Sequence, residues 1–482
     1  MFNLTSIESI KTGLSYGDVL LIPRKTSINS RRDVSTETLI AKKLKLKVPI
    51  ISANMDTVTE STMAISMARQ GGLGIIHRFM AIDRQAREVE KVKRAEAYII
   101  EKPYTIAKEA SLGQAKEDMR KLGVSGLLVA SSSGKLEGLI SRRDIRFKTD
   151  DEDRVSKIMT KKSDLILGAE GIGIDDAIKL LDKNKLEKLP LVDKNGVIKG
   201  LITAKDLERF TNTASAKDSR GRLLVGGAIG TKGDFVERAL ALADASVDIL
   251  VLDVAHGHSD SVIRAIKRIK SEIDDVPLIA GNVATKEATE DLIDAGADCI
   301  KVGIGPGAAC TTRLVTGSGM PQFSAVVDCA QIAQKRGIPI IADGGIKNSG
   351  DVTKALAGGA NAVMIGSLLA GTDESPGYFL VRDGIKYKAY RGMASLGANI
   401  SRKQLDKMDI DPNEILEIVP EGVESSVPYR GAVSEVISQI MGGVHSGMSY
   451  CGAGTLDELR KNAKFIMLTT NGAAESYQKL SR

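Results

Sequence analysis

Short β-branched runs recur along this 482-residue chain, and each is followed by an amphipathic segment. This alternation is typical of βα units in a parallel sheet, whose strands are buried on both faces and therefore apolar throughout. The predicted strands are 47–56, 71–79, 223–230, 248–255, 277–283, 299–305, 338–345 and 362–367. Eight such units predict an α/β fold, a (β/α)8 TIM barrel with functional residues at the carboxyl ends of its strands. An open doubly wound sheet is the alternative, but no G-x-G-x-x-G fingerprint opens a helix at the required distance from an acidic residue.

The stretch from about 99 to 213 interrupts this pattern and contains an internal repeat. GLISRRDI (138–145) matches GLITAKDL (200–207), and LLVA (127–130) matches LPLV (189–192), both at a spacing of 62 residues. Two β-α-β-β-α copies, each too small to bury its own sheet, predict one paired α+β module. The predicted domains are the barrel, 1–98 and 214–482, and the insert, 99–213. The insert explains why the chain exceeds one barrel of roughly 250 residues.

Composition argues against several classes of protein. The 67 Lys and Arg residues against 61 Asp and Glu leave a net charge of only +6, and aromatic residues make up 4% with no Trp. Such a diluted charge without base-stacking side chains argues against a nucleic-acid partner. No apolar run approaches the roughly 18 residues of a membrane span, and the four cysteines form no C-x-x-C pair. We expect a cytoplasmic protein with reduced thiols and no membrane segment.

The densest candidate for chemistry is KVGIGPGAACTTR (301–313). A strand ends in three closely spaced glycines, a proline fixes the turn, and Cys310 follows with two hydroxyl side chains beside it. Glycine lets the backbone lie against a ligand or point carbonyls at an ion. A thiol on such a loop becomes a nucleophile when positive charge or oriented amides favour the thiolate. The alternative is a buried cysteine that only packs in the core, and such a residue does not need a Gly-Pro-Gly turn before it.

Two further strand ends fit a nucleotide. IADGG (341–345) presents Asp343, whose carboxylate can accept hydrogen bonds from two sugar hydroxyls. MIGS (364–367) presents the amides of Gly366 and Ser367, which suit a phosphate. Each alone is equally well an ordinary βα turn, but together with the cysteine loop they predict a nucleotide site.

The chain resembles the IMP dehydrogenase / GMP reductase family over essentially its whole length. The matching stretches are GLSYGDVLLIPR (13–24), NMDTVTE (54–60), DVAHGHS (253–259), the cysteine loop, GMPQFSAV (319–326), ADGGI (342–346), MIGSLLAGTDESPG (364–377) and YRGMASLGA (390–398). The inserted repeats resemble cystathionine β-synthase (CBS) domains, whose pairs often bind adenine or guanine nucleotides. The resemblance also implies a homotetramer that stacks into octamers through the CBS pairs.

The resemblance implies that Cys310 attacks C2 of a purine nucleotide and forms a thioimidate. Dehydrogenases reach this intermediate by passing hydride from IMP to NAD⁺, and then hydrolyse it to XMP. Reductases reach it by expelling ammonia from GMP, and then reduce it to IMP with NADPH. Thr312 and Glu374 match the pair that handles ammonia in reductases.

The same resemblance assigns each of the remaining site residues to one of four ligands. The nucleotide is expected on Asp343, Gly345, Gly366, Ser367, Tyr390, Gly392, Met393 and Glu421. The cofactor, NADPH/NADP or alternatively NAD, is expected on Asp253, Asn282 and Gly303. Carbonyls of Gly305, Gly307 and Cys310 match the family's monovalent-cation site, often K⁺. A regulatory purine nucleotide is expected on Ser141, Asp144, Thr203 and Asp206 of the insert.

Three residues near these motifs have a different interpretation. Ala308 stands where the family usually has a phosphate-binding Ser, which leaves the phosphate to backbone amides and Ser367. His256 and His258 lack the spacing of a metal site, so we interpret them as loop or cofactor-lining residues.

Whether the resemblance implies the dehydrogenase branch or the reductase branch of the family depends on a mobile flap at about 395–424. Dehydrogenases carry an Arg-Tyr pair in this flap, and its Arg helps to activate water. Here the flap reads NISRKQLDKMDIDPNEILEIVPEGVE (399–424), in which no Arg is followed by Tyr. Without a base the thioimidate would hydrolyse slowly, so a GMP reductase is favoured. An IMP dehydrogenase is the alternative, because the CBS insert, YRG and VPEGVE are dehydrogenase-like. A nucleotide sensor with an inactive barrel is a third reading, which Cys310, Thr312 and Glu374 argue against.

Overall fold

The chain divides into two compact units. The computed structural model describes residues 11–42, 44–96, 99–205, 207, 214–405 and 419–475, and among these the side chains of all but 399 and 402–405. The first unit comprises the chain up to Ala95, Ala214–Asp218 and everything from Leu223 onward. The second comprises Glu96–Thr213 and Ser219–Arg222. The predicted insert, 99–213, lies within this second unit.

Strands and helices are numbered in chain order. The strands are β1 Val19–Leu21, β2 Thr38–Ala41, β3 Leu44–Leu46, β4 Ile50–Ser52, β5 Leu73–Ile76, β6 Thr105–Ile106, β7 Gly126–Ala130, β8 Leu136–Ser141, β9 Thr160–Lys161, β10 Gly168–Ala169, β11 Lys188–Val192, β12 Ile198–Thr203, β13 Gly226–Ile229, β14 Ile249–Leu252, β15 Leu278–Val283, β16 Cys299–Val302, β17 Ile340–Asp343, β18 Ala362–Ile365, β19 Phe379–Arg382, β20 Ile385–Arg391, β21 Glu424–Pro428 and β22 Phe465–Met467. The α-helices are α1 Ser61–Arg69, α2 Ile82–Ala95, α3 Leu112–Lys121, α4 Arg142–Ile145, α5 Val155–Ile158, α6 Ile174–Asn184, α7 Phe235–Asp244, α8 Asp260–Glu272, α9 Lys286–Asp294, α10 Thr312–Thr316, α11 Gln322–Lys335, α12 Ser349–Ala357, α13 Ser367–Ala370, α14 Leu396–Leu405, α15 Val433–Tyr450, α16 Leu456–Asn462 and α17 Thr470–Glu475.

Eight parallel strands of the first unit close into a barrel. Their order is β13-β14-β15-β16-β17-β18-β4-β5, and β5 pairs with β13 to complete the ring. These are the eight strands predicted from the sequence, with narrower bounds, so the predicted TIM barrel is confirmed. The second unit is inserted between β5 and β13, the second and third barrel strands along the chain.

Alternate residues of the barrel strands face two separate cores, as the two-residue period of a strand requires. Ile249 and Val251 of β14 belong to a cluster that fills the barrel interior. Leu250 and Leu252 of the same strand belong to the larger cluster that includes the surrounding helices. All four are fully buried. Truncation of one such Leu to Ala costs about 2–5 kcal/mol, so this double burial accounts for much of the unit's stability.

The second unit contains the repeat as two small sheets. One has the order β6-β7-β8-β9 and the other β10-β11-β12. In each, a parallel pair (β6 with β7, β10 with β11) is followed by an antiparallel pair (β7 with β8, β11 with β12). The register even shifts at equivalent places, Val129/Ala130 and Leu191/Val192. The internal repeat predicted from the sequence is therefore present in the backbone.

A further sheet of the first unit lies near the carboxyl ends of the barrel strands. β20 pairs with β19 on one side and with β21 on the other, both antiparallel. The segment after β20 and the segment before β21 both contribute to the cavity described below. No helix in the described part of the chain is long and apolar enough to cross a membrane.

Candidate active site

A cavity of about 1950 Å³ opens at the carboxyl ends of the barrel strands. Every barrel strand contributes a residue at or just after its carboxyl end: Ala53, Arg78, Gly230, Asp253, Asn282, Gly303, Asp343 and Gly366. Pockets for one drug-sized ligand measure about 300–1,000 Å³. The volume is therefore large enough for two ligands side by side.

The cysteine loop forms one wall of this cavity. Gly303 and Gly305 have φ of +151° and +85°, which L-residues rarely adopt. A Cβ at Gly303 would also overlap the carbonyl oxygen of Asp343. These glycines let β16 turn sharply into the loop, which then presents Cys310 to the cavity with its Sγ 3.2 Å from Oγ1 of Thr312.

Cys310 differs from the other three cysteines in its surroundings. Cys299, Cys329 and Cys451 are buried, whereas Cys310 is partly exposed, and all four are unpaired. Burial raises the pKa of the Cys299 and Cys451 thiols and raises that of Cys329 to about 12. These three are thiols at neutral pH. The thiol positioned for chemistry is Cys310.

Backbone hydrogen bonds fasten the cysteine loop to the segment before β21. The Thr311 amide donates to the carbonyl of Glu421 at 2.9 Å, and the Val423 amide donates to Ala309 at 3.0 Å. Gly392, on the segment after β20, donates to Val423 at 3.0 Å. These bonds carry the predicted residues Gly392, Met393 and Glu421 to the cavity wall beside Cys310.

Three polar side chains on adjacent strands form a hydrogen-bonded group beneath the loop. Lys301 Nζ lies 2.8 Å from Oδ2 of Asp343, and it also contacts Oδ1 of Asn282. Asn282 Nδ2 donates to the same Asp343 oxygen at 2.9 Å and to the Gly303 carbonyl at 2.8 Å. The motifs predicted Asp343 and Asn282 but missed Lys301. A lysine inside an apolar strand was the available signal.

The predicted phosphate residues lie together at another wall. Gly366 caps the four-residue helix α13, which begins at Ser367, and a Cβ at Gly366 would lie 3.1 Å from the Tyr390 hydroxyl. Burial, with Asp343 and Cys310 nearby, raises the pKa of Tyr390, so its hydroxyl stays neutral and can donate. Gly345 lines the same cavity, as does Ala308, which brings no hydroxyl. Backbone amides and the hydroxyls of Ser367 and Tyr390 are therefore available as donors at this wall.

The predicted cofactor residue Asp253 pairs with an arginine that the motifs missed. Arg78 Nε donates to Asp253 Oδ2 at 3.2 Å, and both side chains are mostly buried. Lys232 lines the same part of the cavity and supplies further positive charge. His258 pairs with Asp291 at 2.8 Å, and neither His256 nor His258 lines the cavity. Among the described residues, no His/Cys/Asp/Glu group could hold a metal ion.

Glu374, the predicted partner of Thr312, caps a helix and does not line the cavity. Thr312 lines the cavity, but Glu374 is not among the described residues that do so. Glu374 Oε2 accepts a hydrogen bond from the Val433 amide at the start of α15, at 2.9 Å. Its loop is held by the buried Lys388, whose Nζ donates to the carbonyls of Thr372 at 2.9 Å and Ser375 at 2.6 Å.

The three residues predicted for a monovalent cation all lie on the cysteine loop. Gly305, Gly307 and Cys310 line the cavity, and the Cys310 amide donates to the Gly307 carbonyl at 3.1 Å. A carbonyl has two lone pairs, so this bond leaves Gly307 able to face an ion. The donors are neutral carbonyls, which suit K⁺ better than a divalent ion.

In the second unit, Ser141 and Asp144 bond to each other. The Ser141 hydroxyl and amide donate to Asp144 Oδ2 at 2.7 and 2.8 Å, which caps α4. Thr203 ends β12 and is half-buried, and Asp206 lies outside the described residues. A separate cavity of about 720 Å³ is lined by Lys116, Met119, Arg120, Arg142, Arg143, Ile145, Arg146 and Glu187. Ser141, Asp144 and Thr203 do not line it, and the motifs did not predict its basic character.

Known proteins resemble this chain over nearly its whole length. The model of the IMP dehydrogenase / GMP reductase domain matches residues 13–479. The inosine-5'-monophosphate dehydrogenase of Nitrosopumilus maritimus is 49% identical, covering 97% of this chain and 98% of its own. The GMP reductase of Leishmania donovani is 46% identical over 99% and 98%.

Solved structures extend the likeness to three dimensions. A GMP reductase of Trypanosoma brucei in complex with guanosine 5'-monophosphate superimposes with a TM-score of 0.93 at 42% identity, covering 100% of both chains. The same enzyme in complex with guanosine 5'-triphosphate gives a TM-score of 0.82 at 38% identity, covering 96% of this chain and 100% of that one. Relatives of both names share the fold and the sequence. The chain therefore belongs to the IMP dehydrogenase / GMP reductase family of purine-nucleotide oxidoreductases.

Proposed function

We propose that this member of the family is a GMP reductase, which converts GMP and NADPH to IMP, ammonia and NADP. The observation that carries the proposal is the flap sequence 399–424, in which no Arg is followed by Tyr. Water activation by that pair is what a dehydrogenase needs, since general-base catalysis contributes about 10² to 10⁴ in rate. The likeness to the Trypanosoma brucei GMP reductase over the full length of both chains supports the same branch.

The proposed chemistry begins with addition of the Cys310 sulfur to C2 of GMP. The amino group at C2 then takes up the thiol proton and leaves as ammonia, which produces the thioimidate. Thr312 is suited to relay this proton, because its hydroxyl lies 3.2 Å from Sγ. We assign Glu374 to the same proton pathway by its family position. In the described arrangement Glu374 Oε2 accepts the hydrogen bond that caps α15.

The nucleotide is proposed to lie along three walls of the cavity. Asp343 would accept hydrogen bonds from the ribose. The amides of Gly345, Gly366 and Ser367 and the Tyr390 hydroxyl would hold the phosphate, with Ser367 replacing the hydroxyl that Ala308 lacks. Gly392, Met393 and Glu421 would face the purine, since they lie on the segments fastened to the cysteine loop.

The cofactor is proposed to occupy the part of the cavity lined by Asp253, Asn282 and Gly303. Arg78 and Lys232 lie in the same region, and their positive charge suits a phosphorylated cofactor such as NADPH. When bound, this group supplies the hydride that reduces C2. The C2–S bond then breaks, its electrons stay on sulfur, and Cys310 regains a proton. K⁺ on the carbonyls of Gly305, Gly307 and Cys310 would hold the loop in place.

An IMP dehydrogenase is the second candidate. It is favoured by the 49% identity to the enzyme of that name from Nitrosopumilus maritimus, which exceeds the 46% to the Leishmania donovani GMP reductase. One pair of assays separates the two. Loss of reduced-nicotinamide absorbance with GMP and NADPH, together with ammonia release, supports the reductase. Formation of XMP from IMP, NAD⁺ and K⁺ without turnover of GMP replaces it with the dehydrogenase. In both assays, Cys310→Ala should abolish turnover.

We further propose that the second unit is a CBS pair that binds a purine nucleotide and regulates the barrel. Ser141, Asp144, Thr203 and Asp206 would contact its ribose and phosphates. The basic cavity on α3 and α4 adds a site for a polyphosphate, because five of its eight lining residues are Lys or Arg.

The two repeats differ in the charge of the residues at the positions that line this cavity. At the spacing of 62 residues, the basic positions Lys116, Arg120, Arg142, Arg143 and Arg146 correspond to Ile178, Asp182, Ala204, Lys205 and Glu208. The first repeat is therefore the proposed polyphosphate site. A homotetramer, which stacks into octamers through these units, completes the proposal, with a cytoplasmic location that suits four unpaired cysteines.

A further inference from the structure

Lys301 is a buried cation inside the barrel with no role among the residues assigned above. It lies on β16, is 3% exposed and borders the main cavity. Burial of an ammonium group is costly unless the charge is paired and hydrogen-bonded. Other interior positions of the barrel are apolar, such as Ile249, Val251 and Ile341. A lysine among them calls for a function beyond packing.

The contacts of Lys301 converge on one oxygen of Asp343. Oδ2 receives Lys301 Nζ at 2.8 Å and Asn282 Nδ2 at 2.9 Å. No described residue donates to the other oxygen, Oδ1, although the side chain is 22% exposed and lines the cavity. One oxygen is thus fixed by protein donors, and the second is available to a ligand. Asn282 is itself oriented, because its Oδ1 contacts Lys301 and its Nδ2 also bonds the Gly303 carbonyl.

We propose that Lys301 is a positioning residue that orients and charge-balances Asp343, so that Asp343 selects nucleotides carrying ribose hydroxyls. The ammonium group holds Oδ2 and compensates the carboxylate charge, and this leaves Oδ1 aimed at the sugar. The inference rests on the proposed nucleotide site and holds for either branch of the family. It predicts selectivity for the sugar rather than a part in the reaction at C2.

The test compares the ribonucleotide that the protein turns over, GMP or IMP, with its 2',3'-dideoxy analogue in the full-length protein. Initial rates and calorimetric dissociation constants are measured for wild type, Lys301→Met and Lys301→Arg. We expect wild type to prefer the ribonucleotide by at least about 10-fold in kcat/KM, since sites built around a substrate hydroxyl reject analogues that lack it. Lys301→Met should reduce this preference to within about threefold, mainly through KM for the ribonucleotide. Lys301→Arg, which keeps the positive charge, should restore most of it.

Lys388→Met is the matched control. Lys388 is equally buried, at 1%, but its Nζ binds the backbone carbonyls of Thr372 and Ser375 and makes no hydrogen bond to Asp343. Its loss should leave the preference for ribose unchanged even where it lowers kcat. If Met at 301 prevents folding, judged by circular dichroism, Lys301→Gln is measured against the same threefold criterion.

The outcomes separate this inference from the proposed function. If wild type binds neither GMP nor IMP, the nucleotide site itself is wrong and the inference fails with it. If wild type prefers the ribonucleotide and Lys301→Met does so equally, the role of Lys301 is wrong while the nucleotide site stands. If wild type treats ribose and dideoxyribose alike, Asp343 does not read the sugar, and the inference is overturned.

Discussion

Arg391 and Asp56 form an ion pair between residues 335 positions apart in the chain. Arg391 Nε donates to Asp56 Oδ2 at 2.8 Å, and Nη2 contacts the same oxygen. Asp56 is 10% exposed, and its Oδ1 is buried with no partner among the described residues. Because Tyr390 and Gly392 flank Arg391 and line the cavity, the pair fixes part of the cavity wall to the loop after β4.

The first prediction concerns this pair. Arg391→Leu leaves the Asp56 carboxylate buried without a counter-charge, which should lower the free energy of unfolding by on the order of 3 kcal/mol. KM for the nucleotide should rise as well. Chemical denaturation and initial rates measure the two effects. Arg382→Leu, at an exposed position of β19, is the control and should stay within about 0.5 kcal/mol of wild type. Equal stability of the two variants would show that the pair contributes nothing.

The second prediction concerns thiol reactivity. Brief treatment with iodoacetamide at neutral pH should alkylate Cys310 first, because it is partly exposed while the other three cysteines are buried. Their raised pKa keeps Cys299, Cys329 and Cys451 as unreactive thiols. Peptide mass spectrometry identifies the modified residue, and saturating GMP should protect it. Labelling of Cys451 before Cys310 would contradict the assignment.

The third prediction concerns pH and stability. Burial raises the pKa of Asp248 to about 6, against the opposing effect of Lys93, whose Nζ lies 2.5 Å from Oδ2. The folded state therefore holds this proton more tightly than the unfolded state. The resulting stability is present below about pH 4 and is lost as pH rises through about 6. The difference in unfolding free energy between wild type and Asp248→Asn should thus change between pH 4 and 6 in favour of the variant. A difference that is constant over this range would refute the assignment.

The fourth prediction concerns the basic cavity of the second unit. Arg142→Ala and Arg146→Ala should each weaken binding of GTP or ATP to the full-length protein about 3- to 30-fold, measured by calorimetry. The loss should shrink at high salt, because exposed charges are screened. Lys205→Ala, at the position equivalent to Arg143 in the second repeat, should change the affinity less than twofold. Equal losses from both repeats would refute the proposed asymmetry.

The fifth prediction separates two effects of a glycine. Gly303→Ala combines a φ of +151° with overlap onto the Asp343 carbonyl, whereas Gly317→Ala has a φ of +70° and open space around it. Gly317→Ala should bear backbone strain on the order of 1 kcal/mol, the cost of the left-handed region. Gly303→Ala should bear more, because its φ lies outside that region and its Cβ would meet backbone atoms. Only Gly303→Ala should also lose nucleotide affinity, because Asp343 must shift. Similar affinities in the two variants would show that the close approach is unimportant.

The barrel could be predicted because its strands are buried on both faces, and burial leaves an unbroken apolar run such as Ile249–Leu252 of β14. Bounds were less certain, since apolar residues continue into the loops: the run 47–56 contains only the three residues Ile50–Ser52 of β4. The repeat was visible because two short motifs lie at equal spacing. The sheet of β19–β21 was missed. Its first strand, Phe379–Arg382, shows no alternation, but Ile385–Ala389 of β20 alternates apolar and charged residues and was an available signal.

The site residues predicted on glycine-rich motifs of the barrel, except Glu374, line one cavity, and their roles stay predictions. Residues that act through partners distant in the sequence could not be predicted. Nothing in the sequence near Arg391 names Asp56, and nothing near Asp253 names Arg78. Lys301 was passed over because a lone lysine usually marks a solvated face. For Glu374 the motif identified the residue, but a motif cannot give the direction in which the side chain points.

The hydrogen bonds from Thr311 to Glu421 and from Val423 to Ala309 join the cysteine loop to the segment before β21. Such amides exchange with deuterium only when the pairing opens. Protection of Thr311 and Val423 should therefore rise and fall together, and it should do so without any substrate present. A single hydrogen-exchange experiment can thus report how often these hydrogen bonds beside Cys310 open, whichever reaction the thiol performs.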